Sequence, residues 1–286
     1  MLLDIRHETV YRYDRPVTRS VQTLRMTPRT EAGQRVLSWN LLAPGRHSQQ
    51  IDAHGNVVHL LTIDSPIDEI NILVAGTVET EEVVHAAPSN RGRLSPLVYL
   101  PETSLTASSA RLQQFAAQHG RSDPGPDEAM SLAVAVRESL AYVPGVTEVT
   151  DPAARVFELG RGVCQDHAHV MIACCRALGV PARYVSGYLL TAQDDHIASH
   201  AWVDVWLARH ERWFAIDVTN GTPGGLHHCR LAVGRDYLDA CPVRGVRRGG
   251  GVEAMVAKVE VSSDGQGRKP ATPRPRVLQQ HAALQQ

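Results

Sequence analysis

Apolar and polar residues alternate along the first part of the chain with a period of two. Between Leu3 and Tyr11 every second residue suits a buried face, and the residues between them are mostly charged. This alternation is typical of a β-strand with one buried face. Similar short runs, separated by turn residues, occur at Val21–Met26, Val36–Leu42, Val57–Ile63 and Ile70–Thr80. Residues 1–85 therefore predict a small all-β, sandwich-like domain.

The pattern changes to a helical period after residue 105. Residues 86–105 predict a linker, because three prolines fall within Ala86–Pro101. Helices are then predicted at Ser108–Gln118, Pro126–Leu140, Pro152–Leu159 and Cys164–Leu178. Further strands are predicted at Ala182–Leu190, Ala201–Leu207, Trp213–Val218 and Ala254–Val261. Residues 106–261 therefore predict an α+β core, and the proline-containing, glutamine-rich residues 262–286 predict a disordered tail.

Composition limits the classes of function and of partner. The formal net charge of −1 gives no broad positive field that would attract nucleic acid or a membrane surface. No apolar run approaches the roughly 18 residues needed to span a bilayer, and the charged first residues do not resemble a signal peptide. Five cysteines, an odd number, do not suggest a disulfide framework. We therefore expect a cytoplasmic protein with reduced thiols and no nucleic-acid or membrane partner.

A cysteine opens the fourth predicted helix. Cys164 follows the glycine-containing turn Gly160–Gly162, and the helix after it carries an apolar stripe that includes Cys174 and Cys175. The N-terminus of a helix favours an anion, so it increases the thiolate fraction of a cysteine and can stabilise a developing oxyanion. We therefore predict that Cys164 is a nucleophile, and that Cys174 and Cys175 are packing residues.

A histidine and an aspartate are predicted to meet on neighbouring strands. His200 precedes the strand Ala201–Leu207, Asp217 lies near the end of the next strand, and the midpoint between them falls in the polar turn Ala208–Arg212. In an antiparallel hairpin the two side chains would lie opposite each other or one step apart on the diagonal, close enough to hydrogen-bond. Asp217 would then fix the imidazole tautomer and leave the other ring nitrogen for a thiol.

These segments resemble the bacterial transglutaminase-like family. The matching segments are Gly162–His169, Leu178–Tyr188, Ser199–Trp206, Asp217–Asn220, Val233–Tyr237 and Pro242–Gly245. The resemblance implies a papain-like transglutaminase core, in which a helix bearing Cys164 packs on an antiparallel sheet bearing His200 and Asp217, preceded by the family's small β domain. It also implies that Cys164 is the nucleophile, His200 the base and Asp217 the orienting acid.

Two residues depart from the family pattern, and three more near Cys164 need interpretation. His167 stands where an aromatic residue is expected, and Val218 stands where proline often follows the aspartate. Asp166 lies in the first helical turn, where a carboxylate stabilises the helix. Gln165 is a candidate cleft residue, and Tyr142 is a candidate source of a hydroxyl group for the site.

A metal site is a competing interpretation of the histidine-rich segments. Zinc prefers cysteine and histidine ligands, which occur at Cys164, His167 and His169 and again at His227-His228-Cys229. His169 should point away from the other two helical residues, and the chain has no Cys-x2-Cys pair. We therefore expect no metal and no other cofactor, and predict that His227 and His228 lie in a loop or at the rim of a cleft.

The sequence thus predicts a cysteine-dependent acyl-transfer enzyme that acts on a peptide or protein substrate. A thiolate attacks an amide carbonyl, an amine leaves and a thioester remains. Resolution by water gives a peptidase or amidase, which we favour, whereas resolution by an amine gives a transglutaminase or ligase. The two share their first half-reaction, so the triad does not separate them. A non-catalytic peptide-binding module is a third alternative, against which the complete Cys–His–Asp set argues.

Overall fold

Two antiparallel sheets organise the computed structural model, which describes residues 1–82, 94–191 and 199–263. The N-terminal strands are β1 (Leu2–Thr27), β2 (Gln34–Leu42), β3 (Arg46–Ile51), β4 (Val57–Ile63) and β5 (Ile67–Thr80). The middle of the chain contains α1 (Ala110–His119), α2 (Pro126–Ser139), β6 (Ala141–Tyr142), α3 (Ala153–Leu159), β7 (Arg161–Gly162) and α4 (Cys164–Ala177). The last part contains β8 (Ala182–Leu189), β9 (Ser199–Leu207), β10 (Arg212–Asp217), β11 (Thr222–Pro223), β12 (His228–Gly234), α5 (Tyr237–Ala240), β13 (Val243–Gly249) and β14 (Glu253–Ser263).

The long strand β1 is shared by both halves of the seven-stranded sheet. Its first half pairs with β5 and β14, and its second half pairs with β4 and β13. The register shifts between Arg12 and Val17, where the two halves meet. Residues from both halves form one apolar cluster, which includes Val17, Leu24 and Ile72. The β-rich N-terminal region of the predicted fold class is therefore confirmed, although two of its predicted strands are one continuous strand.

The end of the described chain returns to the N-terminal sheet. Strands β13 and β14 pair with β1 along most of its length. The predicted core, residues 106–261, included most of these residues, because local periodicity does not reveal which strand they join. Most of the predicted tail, from residue 264 onward, lies outside the described residues, as do residues 86–93 of the predicted linker.

Helix α4 lies at the centre of the second unit. It packs against β8 and β9 of the five-stranded sheet, whose strand order is β11-β10-β9-β8-β12, and α1, α2 and α3 pack around it. Every residue from Asp166 to Arg176 is buried, so α4 is covered on all sides and not only along the predicted stripe. This α+β arrangement confirms the predicted fold class. No helix in the described ranges is long and apolar enough to cross a membrane.

The second half of the predicted linker packs on the core. Tyr99 is buried, and its ring meets the Trp213 ring edge-on with centroids 5.4 Å apart. The backbone carbonyl of Tyr99 accepts a hydrogen bond of 2.8 Å from Nε of the buried Arg176. Residues 94–105 are therefore part of the packed structure of the core.

Side-chain amides of the N-terminal sheet cover the edge strand β12. Gln34 donates to the Arg230 carbonyl at 2.9 Å and accepts from the Arg230 amide at 2.7 Å. Asn56 donates to the Val233 carbonyl and accepts from the Val233 amide, both at 2.8 Å. These side-chain amides satisfy backbone N–H and C=O groups of β12 that a further strand would otherwise pair with. They also join the two sheets.

Candidate active site

Cys164 is the first residue of α4. The Asp166 carboxylate accepts hydrogen bonds of 2.7 Å from the Val163 amide and from the Thr147 hydroxyl, which closes the first turn. A Cβ atom on Gly162 would lie 2.5 Å from Asp166 Oδ2, so only glycine allows this turn. Cys164 is partly exposed, whereas the other four cysteines are buried, and all five thiols are free. The structure thus places Cys164 at the helix N-terminus, as predicted, and gives Asp166 a capping role.

His200 and Asp217 lie side by side on neighbouring strands. His200 Nε2 donates to Asp217 Oδ2 at 2.8 Å. Because Ile216 pairs with Val203, Asp217 falls opposite Trp202, and His200 lies one step away on the diagonal. The structure therefore adopts the diagonal form of the two predicted arrangements. Asp217 is fully buried, so its charge depends on the groups that contact it.

The charges of His200, Asp217 and Cys164 are coupled. Burial lowers the pKa of His200, but the hydrogen bond to Asp217 and the side-chain hydrogen bond and charge of Cys164 outweigh it and raise that pKa to about 10. Burial raises the pKa of Asp217, but its two histidine partners hold it well below its usual range. With Nε2 bound to Asp217, the Nδ1 atom of His200 is left for the thiol. The arrangement is an imidazolium held between a carboxylate and a thiol.

A second histidine contacts the same carboxylate oxygen. His228 Nε2 lies 3.0 Å from Asp217 Oδ2, and the Gly225 amide donates to His228 Nδ1 at 3.2 Å. Asn220 completes the set, since its backbone amide donates to Oδ1 at 3.1 Å and its side chain donates to Oδ2 at 2.7 Å. Of the two predicted settings, a loop or the rim of a cleft, the loop is wrong for His228, because this residue begins β12 and its side chain, which is 10% exposed, contacts Asp217.

Sequence reasoning missed His228 because it missed β12. The strand was detectable, since Leu231 and Val233 alternate with neighbours of different character and Gly224-Gly225 marks a turn before it. Its neighbour His227 is exposed, as predicted.

Trp202 supports both histidines from the sheet. Its ring stacks on the His200 ring at a centroid distance of 6.3 Å and meets the His228 ring edge-on at 5.1 Å. A Cβ atom on Gly187, which pairs with His200 across the sheet, would lie 2.5 Å from the Trp202 ring. Only glycine therefore leaves room for the indole that holds the two imidazoles.

One group within the described ranges has the spacing of a metal site. The ligand atoms of His200, Asp217 and His228 all lie within 4.8 Å of one another. However, the Gly225 amide occupies the Nδ1 lone pair of His228, so the ring proton sits on Nε2. A metal on Nε2 would need the lone pair that this proton occupies. The hydrogen bonds thus fit a proton network better than a metal.

The histidines of the competing zinc interpretation do not converge. His167 Nε2 donates to the Leu140 carbonyl at 3.3 Å, and its Nδ1 accepts from the Thr219 hydroxyl at 3.0 Å. His169 Nε2 accepts from the Tyr237 amide at 3.1 Å. Burial lowers the pKa of both residues, so each is a neutral ring used by the fold. The polar His167 is thus accommodated where an aromatic residue was expected.

Comparison with known proteins identifies the family. The family model of the bacterial transglutaminase-like N-terminal region matches residues 3–79, and that of the transglutaminase-like superfamily matches residues 113–218. An uncharacterised protein of Mycobacterium leprae is 30% identical over 279 residues, which is 90% of this chain and 96% of that protein. The chain belongs to the bacterial transglutaminase-like family.

Two further proteins resemble this transglutaminase-like protein. A solved structure from Cytophaga hutchinsonii, named as a candidate cysteine protease, has a TM-score of 0.73 at 20% identity and covers 96% of this chain and 94% of that chain. At that identity the likeness concerns the fold. A 63-residue segment, 22% of this chain, is 33% identical to 8% of the chicken peptide-N(4)-(N-acetyl-β-glucosaminyl)asparagine amidase. Membership of this superfamily supports cysteine-dependent catalysis in general.

Two other residues of the transglutaminase-like core lie near the thiol. Burial, followed by the charges of Cys164 and Asp166, raises the pKa of Tyr142 to about 12. The Tyr142 hydroxyl therefore keeps its proton, and its role at the site stays a prediction. The Gln165 side chain donates to the Val149 carbonyl at 3.0 Å, so it holds a loop next to Cys164.

A cavity of about 570 Å³ opens beside His228. It lies where the N-terminal sheet, α2 and the connection from β10 to β12 meet. Its lining includes the apolar residues Met130, Trp202 and Phe214 and the acidic residues Glu81, Glu82 and Asp127. The N-terminal sheet therefore shapes the surface next to the Asp217 side of the site.

Proposed function

We propose that this transglutaminase-like protein is a cysteine peptidase or amidase whose catalytic residues are Cys164, His200 and Asp217. The observation that carries the proposal is the His200–Asp217 pair, which holds an imidazolium beside a thiol at a helix N-terminus. An imidazolium next to a cysteine favours the thiolate, which is the nucleophilic form. The proposed substrate is a peptide or protein.

In the first half-reaction the Cys164 thiolate adds to the carbonyl carbon of the amide. His200 gives its Nδ1 proton to the amine nitrogen as the C–N bond breaks, so an amine leaves and a thioester remains. In the second half-reaction neutral His200 takes a proton from water, and the resulting hydroxide adds to the thioester carbonyl. The carboxylic acid product leaves with cleavage of the C–S bond, and the thiolate and imidazolium are restored.

Two comparisons support water as the second reactant. The names of the chicken relative and of the Cytophaga hutchinsonii structure refer to an amidase and to a candidate protease, both of which hydrolyse amide bonds. The superfamily match favours a second candidate function, transamidation, in which a primary amine attacks the thioester in place of water. Both proposals use the same acyl-enzyme.

The test of the proposed function is a mass measurement of the acyl-enzyme. We expect the protein, mixed with a peptide library, to release cleaved peptides and to form a thioester adduct on Cys164. Cys164→Ala should abolish both, whereas the matched control Cys241→Ala should keep both. Added hydroxylamine or a labelled primary amine separates the two candidates. If the amine is incorporated, and no hydrolysis occurs when the amine is left out, transamidation is favoured. If no amide forms an adduct on Cys164, both candidate functions are contradicted.

A chemical test needs no substrate. Iodoacetamide at about pH 7 should modify Cys164 well before the other four cysteines, because burial raises the pKa of Cys174, Cys175, Cys229 and Cys241 and limits access to them. Peptide mapping after brief treatment identifies the modified residue. Equal modification of several cysteines in the folded protein contradicts the assignment of Cys164.

A further inference from the structure

Three residues hold the Asp217 carboxylate, and one of them, His228, has no role in the two half-reactions. His200 is the base. Asn220 lies three positions after Asp217 and donates hydrogen bonds to both of its carboxylate oxygens. His228 comes from a different strand, β12, and approaches Oδ2 at 3.0 Å. A fold that needed only an oriented aspartate already has Asn220, so this buried third donor calls for a separate explanation.

The hydrogen bonds of His228 define its tautomer. A backbone amide can only donate, so the contact from Gly225 at 3.2 Å leaves Nδ1 of His228 without a proton. The remaining ring proton is on Nε2 and points at the Asp217 carboxylate. A doubly protonated ring would direct its Nδ1–H at the Gly225 N–H. The geometry therefore selects a neutral donor.

His228 also stands between Asp217 and the 570 Å³ cavity, of whose lining it forms part. Its side chain is only 10% exposed, and the edge-on contact with Trp202 at 5.1 Å fixes the ring plane. The cavity lining includes His228 and Trp202 but neither Asp217 nor His200. The imidazole of His228 thus separates the buried carboxylate from water in the cavity.

We propose that His228 is a positioning residue, which as a neutral Nε2–H donor holds Asp217 against His200 and keeps water of the cavity away from that pair. The proposal rests on the proposed function for its effect on rate, but its effect on His200 can be measured without turnover. The titratable groups that face the pair from neighbouring elements are Cys164 and His167 on α4 and His228 on β12.

Loss of the hydrogen bond from His228 should weaken the pair. Without that donor the Asp217 carboxylate can turn away from His200, which lengthens the contact and reduces the attraction between the carboxylate and the imidazolium. His200 should then lose its proton at a lower pH. A change of about one pH unit or more corresponds to the loss of one hydrogen bond to a charged group. A slightly misplaced base should lower kcat by about 10- to 100-fold with little change in KM.

Three variants of the full chain separate the possible roles of His228. In His228→Gln the amide can still donate to Asp217 and accept from Gly225, but it cannot bind a proton. His228→Phe keeps an aromatic ring without either hydrogen bond. His227→Gln is the matched control, because His227 is the adjacent histidine and is exposed. For each variant we would measure the NMR titration of His200, the pH dependence of Cys164 alkylation by iodoacetamide, and kcat and KM for an amide substrate.

We expect His227→Gln and His228→Gln to behave like the wild type. In His228→Phe, His200 should titrate at a lower pH and kcat should be lower. His228→Phe with a normal His200 titration overturns the proposal, since packing alone then suffices. Equal defects in the Gln and Phe variants also overturn it, because they indicate a titrating or metal-binding role.

One measurement on the wild type does not depend on any variant folding. A long-range proton–nitrogen NMR spectrum at about pH 7 should show His228 as the neutral Nε2–H tautomer, and the other tautomer or a charged ring overturns the proposal. If the wild type hydrolyses no amide but the titration pattern holds, the proposed function fails while the role of His228 stands.

Discussion

His7 in the seven-stranded sheet and His200 in the five-stranded sheet both have little-exposed side chains, yet their pKa values shift in opposite directions. His7 Nδ1 contacts the Tyr188 hydroxyl at 2.9 Å, and its Nε2 contacts the Thr9 hydroxyl at 3.0 Å. Burial lowers the pKa of His7 to about 4. His200 has a carboxylate and a thiol as partners, which overcome its burial and raise its pKa to about 10.

For these two histidines, the partners and not burial alone set the direction in which the pKa shifts. Hydroxyl groups satisfy His7 without stabilising a positive charge, so desolvation prevails. The five-stranded sheet also buries the charged group of Asp204 with Arg183 and Arg230, whereas the polar contacts of His7 in the larger sheet are neutral.

Asp217→Asn should have the largest effect, because it removes the partner that distinguishes His200 from His7. The variant should fold, since asparagine has nearly the same shape, but His200 should titrate below its value of about 10 and the rate of amide cleavage should fall about 10²- to 10⁴-fold. Steady-state kinetics and circular dichroism measure the two effects. Asp239→Asn, which changes a carboxylate away from the site, is the control, and a folded Asp217→Asn variant with normal turnover contradicts the account.

Asp204→Asn should affect stability more than a typical substitution. Asp204 is fully buried and accepts from Arg183 Nε at 2.8 Å and from Arg230 Nη1 at 2.6 Å. Neutralising it leaves Arg183 without its carboxylate partner and Arg230 with Glu31 alone, which should cost about 3–5 kcal/mol in the free energy of unfolding. Urea denaturation checks this. The control Asp64→Asn removes an exposed partner of Arg46 and should change stability little, and equal losses in the two variants would remove the contrast between buried and surface charge.

His7→Gln should change the pH dependence of stability. Folding lowers the pKa of His7 from about 6.5 to about 4, so the unfolded chain binds a proton first and stability is lost as pH falls through this window. Glutamine at this position cannot bind the proton, so it removes that loss. Between about pH 7 and pH 4.5, the free energy of unfolding should fall by about 2 kcal/mol more in the wild type than in the variant. Urea denaturation at both pH values measures the difference. His47→Gln, a change to an exposed histidine of the same sheet, is the control, and identical slopes in wild type and His7→Gln contradict a neutral His7.

The parts of the site that local pattern defines were predictable from the sequence. Cys164 begins a helix because a glycine turn precedes a helical repeat, and His200 meets Asp217 because a short polar turn joins two apolar strands. The helix start at Cys164 and the strand Val57–Ile63 have the predicted positions. In each case the information lies within about twenty residues of sequence.

The parts that depend on distant pairing were not predictable. Strand β3 has no buried residue, so its sequence carries no alternation. Strands β13 and β14 pair with β1, which lies more than two hundred residues away in the sequence. No local feature of the sequence indicates which strand they pair with. His228 reaches Asp217 only because β12 lies next to β8 in the sheet, an order that is set by packing. The sequence therefore predicted the local elements of the site and missed the residue supplied by sheet order.

The most direct test is an NMR titration of His7 and His200 in the same sample, with assignments from His7→Gln and His200→Gln. We expect His200 to remain an imidazolium up to about pH 10, and His7 to remain neutral down to about pH 4. Since folding raises the pKa of His200, its contribution to stability should be complete below about pH 6.5 and lost as pH rises through about 10. If both histidines titrate together near pH 6.5, or if His200 is neutral at about pH 8, the partner does not set the charge and the account is wrong.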